Sequence, residues 1–199
     1  MAFMFEYPGQ MQELNSEMPI DRISSLPDDL LINILNFLPT KYAFITSMLS
    51  RRWSYLFKEV THLDLDDSLL FNSPGAFNHE KSCVSFRDFA LKMLDCLKLS
   101  NLISFRFKCS VGREQLLYKN IGLSLDAILS RGIQEIDLDI NSHVVLPHSI
   151  FTCQTLCILK LTVSGTATGT IVAIPDTLCL PCLEILHLNL SRVFDVHKN

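Results

Sequence analysis

The stretch Leu26-Pro27-Asp28-Asp29-Leu30-Leu31-Ile32-Asn33-Ile34-Leu35-Asn36-Phe37-Leu38-Pro39 decides how the chain begins. Leu26, Leu30, Leu31, Ile34, Leu35 and Leu38 recur along it at i, i+4, i+5, i+8, i+9 and i+12, which is one face of a helix. Pro27 suits the first turn, where its missing N–H would be unsatisfied in any case. Asp28 and Asp29 then sit against the positive end of the helix dipole. Pro39 stops the helix. Thr40 can cap a second helix from about Lys41 to Met48, and Ser50 a third from Arg51 to Lys58 that carries Trp53, Leu56 and Phe57. Three short helices with tight joints make a compact module with too small a core to be very stable alone.

Downstream of Val60 the period changes from helical to alternating. His62-Leu63-Asp64-Leu65-Asp66 alternates apolar and polar residues, as a half-buried strand does. The alternation returns at Ile103–Phe107, Ile133–Ile140, Ile158–Val163 and Leu183–Leu190. Leu63, Phe105, Ile136, Leu159 and Leu186 open the central apolar-x-apolar units, at successive separations of 42, 31, 23 and 27 residues. The later separations lie near the roughly 20 to 29 of leucine-rich repeats. Phe86, Phe89, Ala90, Met93, Leu94 and Leu97 share one face of a helix between strands. Leu123 to Leu129 forms another, ended by Gly132. Strand, crossover and strand at this spacing imply a parallel sheet wound as a curved solenoid. Asp66–Lys81 and Gly165–Ala173 read as loops. Residues 1–19, at the other end, have no usable period and read as a disordered tail.

Composition narrows the functions. The chain has 199 residues, 48% of them hydrophobic, and a formal net charge of -4, which does not suit a generic nucleic-acid binder. No segment approaches the roughly 20 uncharged apolar residues of a membrane span. The apolar start, Met1 to Phe5, is cut short by Glu6 and lacks the basic lead-in of a secretory signal. Seven scattered cysteines without such a signal read as reduced thiols in the cytoplasm or nucleus. The formal glycosylation acceptor at Asn189 carries no weight in that setting. Cys153-x3-Cys157 and Cys179-x2-Cys182 could offer two thiolate pairs to zinc. Their placement on repeat strands and turns favours buried apolar positions instead, so neither metal nor cofactor is expected. No phosphate loop, nucleophile elbow or metal-binding histidine pair is present.

Asp21-Arg22-Ile23-Ser24-Ser25-Leu26-Pro27-Asp28-Asp29-Leu30-Leu31, followed by Ile34-Leu35, Phe37-Leu38-Pro39-Thr40-Lys41 and Leu49-Ser50-Arg51-Arg52-Trp53, resembles a plant F-box. Ser130 to Leu138 and Leu180 to Leu188 resemble phrases of the plant F-box proteins with leucine-rich repeats. Tyr42 stands where these proteins usually carry an acidic residue, and Phe57 where they often carry Trp. Members usually continue past a point like Asn199, often into a domain known as FBD. The resemblance implies a C-terminally short member whose final strand is thinly covered.

The expected fold class is therefore α+β: a disordered tail (1–19), a small three-helix F-box (20–60) and an irregular leucine-rich-repeat solenoid with a parallel sheet (61–199), incomplete at its C-terminus. The function the resemblance implies is that of substrate-recognition subunit of an SCF-type ubiquitin ligase. It would bind a Skp-type adaptor, through it a cullin, and a target protein, but neither nucleic acid nor membrane. No catalytic residue is expected. The adaptor-binding candidates are Leu26, Pro27, Leu30, Leu31, Ile34, Leu35, Leu38, Pro39, Leu49 and Trp53. For Trp53 a core role competes with that of interface anchor. Lys41, Arg51, Arg52 and Lys58 form either a solvated basic face or a patch steering an acidic adaptor. Asp64, Asp137 and Lys160 point away from their apolar neighbours and are candidates for a target-binding concave face, against ordinary solvated strand positions. Two other readings are a non-ligase protein-binding module, in which the helices only cap the solenoid, and an enzyme of unrecognised type.

Overall fold

The computed structural model describes residues 21–68, 79–97, 102–109, 115–140, 146–164 and 178–190. The expected tail and the Gly165–Ala173 loop lie outside the described residues, as does most of the loop expected over Asp66–Lys81, of which 79–81 are helical.

The helical module consists of α1 (Asp28–Asn36), α2 (Thr40–Thr46) and α3 (Arg51–Phe57). Pro27 occupies the N-cap of α1, one position earlier than the first-turn place its chemistry suggests. Ser50 caps α3 by accepting the Trp53 N–H at 3.3 Å. Thr40 does not cap α2. It is the first residue of that helix, buried, and its hydroxyl accepts the backbone N–H of Asp64 at 2.7 Å. The expected local cap is lost to a longer-range bond that holds the module to the sheet.

The chain continues with β1 (His62–Asp66), α4 (His79–Cys96), β2 (Ser104–Cys109), α5 (Gln115–Leu129), β3 (Glu135–Ile140), a 3-10 turn (His148–Phe151), β4 (Ile158–Val163) and β5 (Ile185–Leu190). The five strands form one parallel sheet in sequential order. Leu63, Phe105, Ile136, Leu159 and Leu186 lie in one register row, so the sequence separations between them are true structural steps. The junctions repeat as well. Thr61, Ile103, Gln134 and Cys157 each offer a carbonyl to two successive N–H groups at the start of the next strand. Gly132, at φ +92°, turns the chain from α5 into β3 in the left-handed conformation that glycine adopts without penalty.

Alternation puts the sheet's two faces in different environments. Leu63, Leu65, Phe105, Phe107, Ile136, Leu138, Leu159 and Leu161 are buried on one face. Helix α4 packs there through Phe86, whose ring lies 6.0 Å from that of Phe107. The 3-10 turn joins α5 through Ser149, which donates to Asp126 at 2.6 Å. The same core runs without a break into the helical module through Val60, Phe57, Leu56, Leu35 and Leu31. Phe44 of α2 meets Phe57 edge-on at 5.8 Å and Phe89 of α4 at 6.0 Å, with the Lys92 ammonium 5.0 Å over its ring.

β1 is an edge strand. Asp67 donates its N–H to Lys108 of β2, so by alternation the N–H groups of His62 and Asp64 face outward. Bare edge groups of this kind invite pairing with other chains. Here the helical module occupies them. The Asn36 carboxamide oxygen accepts from the N–H groups of Thr61 (2.9 Å) and His62 (3.3 Å), and its amide donates to the Thr61 hydroxyl at 3.1 Å. Thr40 takes the N–H of Asp64. Asn36→Ala and Thr40→Val each leave edge N–H groups without a protein partner, and each is expected to lower stability by about 1–3 kcal/mol. Urea unfolding measures this, and a midpoint within error of wild type in both variants would refute the seal.

Candidate functional site

Two surfaces stand out, one on each part of the chain. On the helical module, Leu31, Leu35, Ala43, Leu56 and Phe57 complete the interior, yet a comparable number of apolar side chains remain outside. Leu30, Ile34 and Phe37 follow one face of α1, and Tyr42, Ile45, Met48 and Leu49 run along and just beyond α2. Phe37 is 89% exposed, Met48 76% and Leu49 71%. A groove of about 370 Å³ opens beside Ile34 and Leu49, walled by them with Ile23, Leu38 and Trp53 and floored by the buried Leu35.

The ten candidates chosen from sequence separate here by position. Leu31 and Leu35 lie in the core. Leu26, Leu38 and Trp53 are half-buried against it, and Pro39 is half-buried at the α1–α2 corner. Pro27, Leu30, Ile34 and Leu49 are exposed. The exposed Phe37, Tyr42, Ile45 and Met48 were not singled out. They are apolar residues on and just beyond the two helices, and only the packing shows that they face outward.

Arg52 shapes the rim of this groove. Its guanidinium donates to Asp28 at 2.6 and 2.9 Å, to the Ser24 carbonyl at 2.6 Å and to the Leu26 carbonyl at 2.6 Å. It thus pins the approach segment to the starts of α1 and α3. Of the basic cluster Lys41, Arg51, Arg52 and Lys58, this member has a structural task. Asp21 holds the same segment by accepting from the Ser24 hydroxyl and N–H, and those bonds lower its carboxyl pKa from 3.8.

The second surface is the polar face of the sheet. Asp64, Arg106, Asp137, Lys160 and His187 form one continuous register row. The three candidates chosen from sequence, Asp64, Asp137 and Lys160, are therefore side by side with Arg106 and His187. Those two occupy the same middle position of the Phe105-x-Phe107 and Leu186-x-Leu188 units and follow from the same rule. Arg106 reaches Asp64 at 3.5 Å and Asp137 at 3.7 Å, and Lys160 reaches Glu135 at 3.8 Å. At such distances, in partial contact with solvent, these pairs contribute little to stability. They set a pattern of charge rather than hold the sheet together.

Asp64 is the exception in its surroundings. Its Oδ1 is buried and has no hydrogen-bond partner among the described residues. Desolvation raises its pKa above 3.8, against the attraction of Arg106, and Asp66 and Asp137 add repulsion. The folded chain thus holds the Asp64 proton more tightly than the unfolded chain. The resulting stabilisation is full below about 3.8 and is lost as pH rises through the higher folded value. Asp64→Asn is accordingly expected to leave stability at neutral pH unchanged or raised, by less than about 1 kcal/mol because water reaches part of the carboxylate. Thermal denaturation at neutral pH and near pH 4 checks the sign, and a variant less stable than wild type at neutral pH would reverse it.

The paired cysteines behave separately. Cys153 is buried with its Sγ 3.8 Å from the Leu129 carbonyl oxygen, Cys157 is half-buried, and Cys179 and Cys182 are exposed. Among the described residues, no three His, Cys, Asp or Glu side chains gather as a metal site would require. No described helix is long and apolar enough to cross a membrane.

A three-helix module with apolar residues left outside, sealed onto a parallel sheet with one charged face, makes an α+β chain with two distinct candidate surfaces. Residues 23–65 match the F-box domain family. The chain is 41% identical over 143 residues to the F-box/LRR-repeat protein At4g14103 of Arabidopsis thaliana, covering 71% of this chain and 36% of that protein. It is 37% identical over 175 residues to the FBD-associated F-box protein At5g60610 (85% and 39% covered). To the F-box/LRR-repeat protein At3g58900 it is 36% identical over 174 residues (85% and 51%), both again from Arabidopsis thaliana. The chain carries an F-box domain and is homologous over most of its length to the Arabidopsis F-box/LRR-repeat and FBD-associated F-box proteins. It spans between about a third and a half of the length of these relatives.

Proposed function

We propose that the chain is the substrate-recognition subunit of an SCF-type ubiquitin ligase. Its F-box holds a Skp-type adaptor and, through it, a cullin; the sheet holds a target protein. The observation that carries the reading is the row of exposed apolar residues on α1 and α2, from Leu30 to Leu49, within the segment that matches the F-box domain. Apolar patches left over after a core is complete mark partner surfaces. Leu38 and Trp53 line the groove beside that surface and Leu35 floors it; Leu26, Pro27, Leu31 and Pro39 complete the proposed adaptor-binding set.

The sheet is read as a short leucine-rich-repeat solenoid whose polar face, with Asp64, Asp137 and Lys160, meets the target. Parallel sheets in doubly wound folds are covered on both faces and read as continuous apolar runs. This one is apolar on one face only, and its strand junctions repeat the same hydrogen bonds. The subunit itself makes and breaks no bond. It acts by raising the effective concentration of target near chemistry carried out on other subunits, in the cytoplasm or nucleus.

The test is co-expression of the chain with a Skp-type adaptor followed by size-exclusion chromatography. A stoichiometric complex is expected, and a folded chain that elutes without adaptor would overturn the reading. One observation favours a second reading, a non-ligase repeat protein in which the helices serve as a cap: Asn36 and Thr40 do seal the β1 edge. That role leaves the apolar groove on the other side of the helices without a purpose, and the same chromatography separates the two.

A further inference from the structure

Residues 34–40 serve two surfaces at once. Ile34, Leu35 and Leu38 line the apolar groove of the helical module. Asn36 and Thr40, interleaved with them, hold the N–H groups of Thr61 and Asp64 on the edge of β1, at 2.9 and 2.7 Å. Leu38 lines both the groove and a cavity of about 230 Å³ beside the start of β1. The corner between α1 and α2 is short and tied to α1. Phe37 and Leu38 donate to the Ile34 and Leu35 carbonyls at 3.2 and 3.1 Å, and Pro39 stands at the N-cap of α2. Thr40 is 2% exposed, so water reaches its bond to Asp64 only when the corner lifts from the sheet. Lifting the corner carries Leu35 and Leu38 with it and takes the groove apart.

We propose that the α1–α2 corner is a clasp: a partner seated in the groove locks the β1 edge of the sheet, and the edge opens more readily in the chain without that partner. The inference rests on the reading of the groove as adaptor-binding and adds a regulatory consequence to it. The physical basis is linkage. A ligand that binds the closed corner and not the open one lowers the open fraction by the factor 1 + [L]/Kd, about a hundredfold at a concentration a hundred times Kd. No contact between partner and sheet is needed, since the closed and open forms of the corner differ in both surfaces at once. The effect is uneven along the sheet. β1 depends on the corner for its outward bonds, whereas β5, at the other end, takes its bonds from β4. Folded chains open in local segments, each with its own free energy, so one edge can loosen while the far strand stays shut. An open β1 edge is a template for a strand of another chain. The free subunit is thus the form exposed to strand addition, and the adaptor-bound form is protected.

Amide hydrogen exchange of the full chain, labelled with nitrogen-15, measures this while a Skp-type adaptor is titrated in. The Thr61 and Asp64 amides are expected to slow in proportion to free adaptor, reaching about a hundredfold at a hundred times Kd, while Ile185 and His187 of β5 keep their rates. Thr40→Val removes the acceptor of the Asp64 N–H. It is expected to abolish the response at Asp64 and to leave that at Thr61, which Asn36 holds. A complex in which Thr61 and Asp64 exchange as fast as in the free chain would overturn the clasp alone and leave the adaptor reading standing. An equal slowing of all four amides, the mark of global stabilisation, would overturn it too. Failure to form any complex would remove the adaptor reading and the clasp with it. The wild-type titration decides without the variant, should Thr40→Val fold poorly.

Discussion

Replacing Leu49 with glutamate is expected to abolish co-purification with a Skp-type adaptor while leaving the chain folded. Leu49 is 71% exposed and stands on the wall of the apolar groove, so the fold does not rely on it. Truncating an anchor of a protein interface typically costs about 2 kcal/mol or more, roughly thirtyfold in affinity. A carboxylate left unpaired inside a closed interface costs more again. Ile34→Asp, in the same groove, is expected to act in the same way. Leu35→Asp makes a poorer test of the same idea. Leu35 is buried, so a charge there breaks the module itself, and lost binding would report only unfolding. Undiminished capture of adaptor by a Leu49→Glu, Ile34→Asp chain with a native circular dichroism spectrum would place the docking surface elsewhere.

The other large effect concerns the joint between module and sheet. Phe57→Ala is expected to cost about 3–5 kcal/mol, the usual toll for emptying an aromatic site in a packed core. Phe57 is buried beneath Phe44, which in turn touches Phe89 of α4. A loss of that size is a large share of the roughly 5–15 kcal/mol by which such folds are stable. Since the core is shared, the whole described body is expected to loosen together. Trp53, the single tryptophan, reports on the helices, and far-ultraviolet circular dichroism reports on the sheet and α4. The two signals should change at one urea concentration in wild type and variant alike. An early Trp53 transition, with the sheet signal intact, would show two independently folding parts.

The strands were legible because their two-residue alternation survives in every copy. The five apolar residues chosen from sequence, Leu63 to Leu186, are the five that align in space. Helix lengths were less legible. The periodic core of α4 begins at Phe86 and that of α5 at Leu123, while the helices start at His79 and Gln115. For α5 the signal is present, since Ile121 continues the face of Leu125 and Ile128 one turn upstream and is buried with them. The first residues of α4, His79-Glu80-Lys81-Ser82, are polar and announce nothing. Among the site residues, the face of each helix was readable but its inside and outside were not. Leu31 and Leu35 look like Leu30 and Ile34 in sequence; only the packing of α1 against α3 tells them apart. Thr40 was misread for a physical reason. A threonine at a helix start has the chemistry of a cap, and only the arrival of β1, 24 residues later, gives its hydroxyl another partner. The role of Arg52 was hidden likewise, because two of its partners are backbone carbonyls, which carry no residue signature.

The way Asn36 and Thr40 close the sheet edge bears on how parts of such chains could be exchanged. A chimera that took its first sixty residues from another F-box protein would inherit that donor's helices and their adaptor surface. It would also inherit whatever stands at the ends of α1 and α2. A donor with alanine and valine at these two places would leave the outward N–H groups of β1 bare, and an unrelated β-strand could add there. The graft would fail at its seam, although helices and sheet were each sound. Carrying Asn36 and Thr40 across with the graft, as two residues owned jointly by both halves, is what would make the exchange heritable as a working unit.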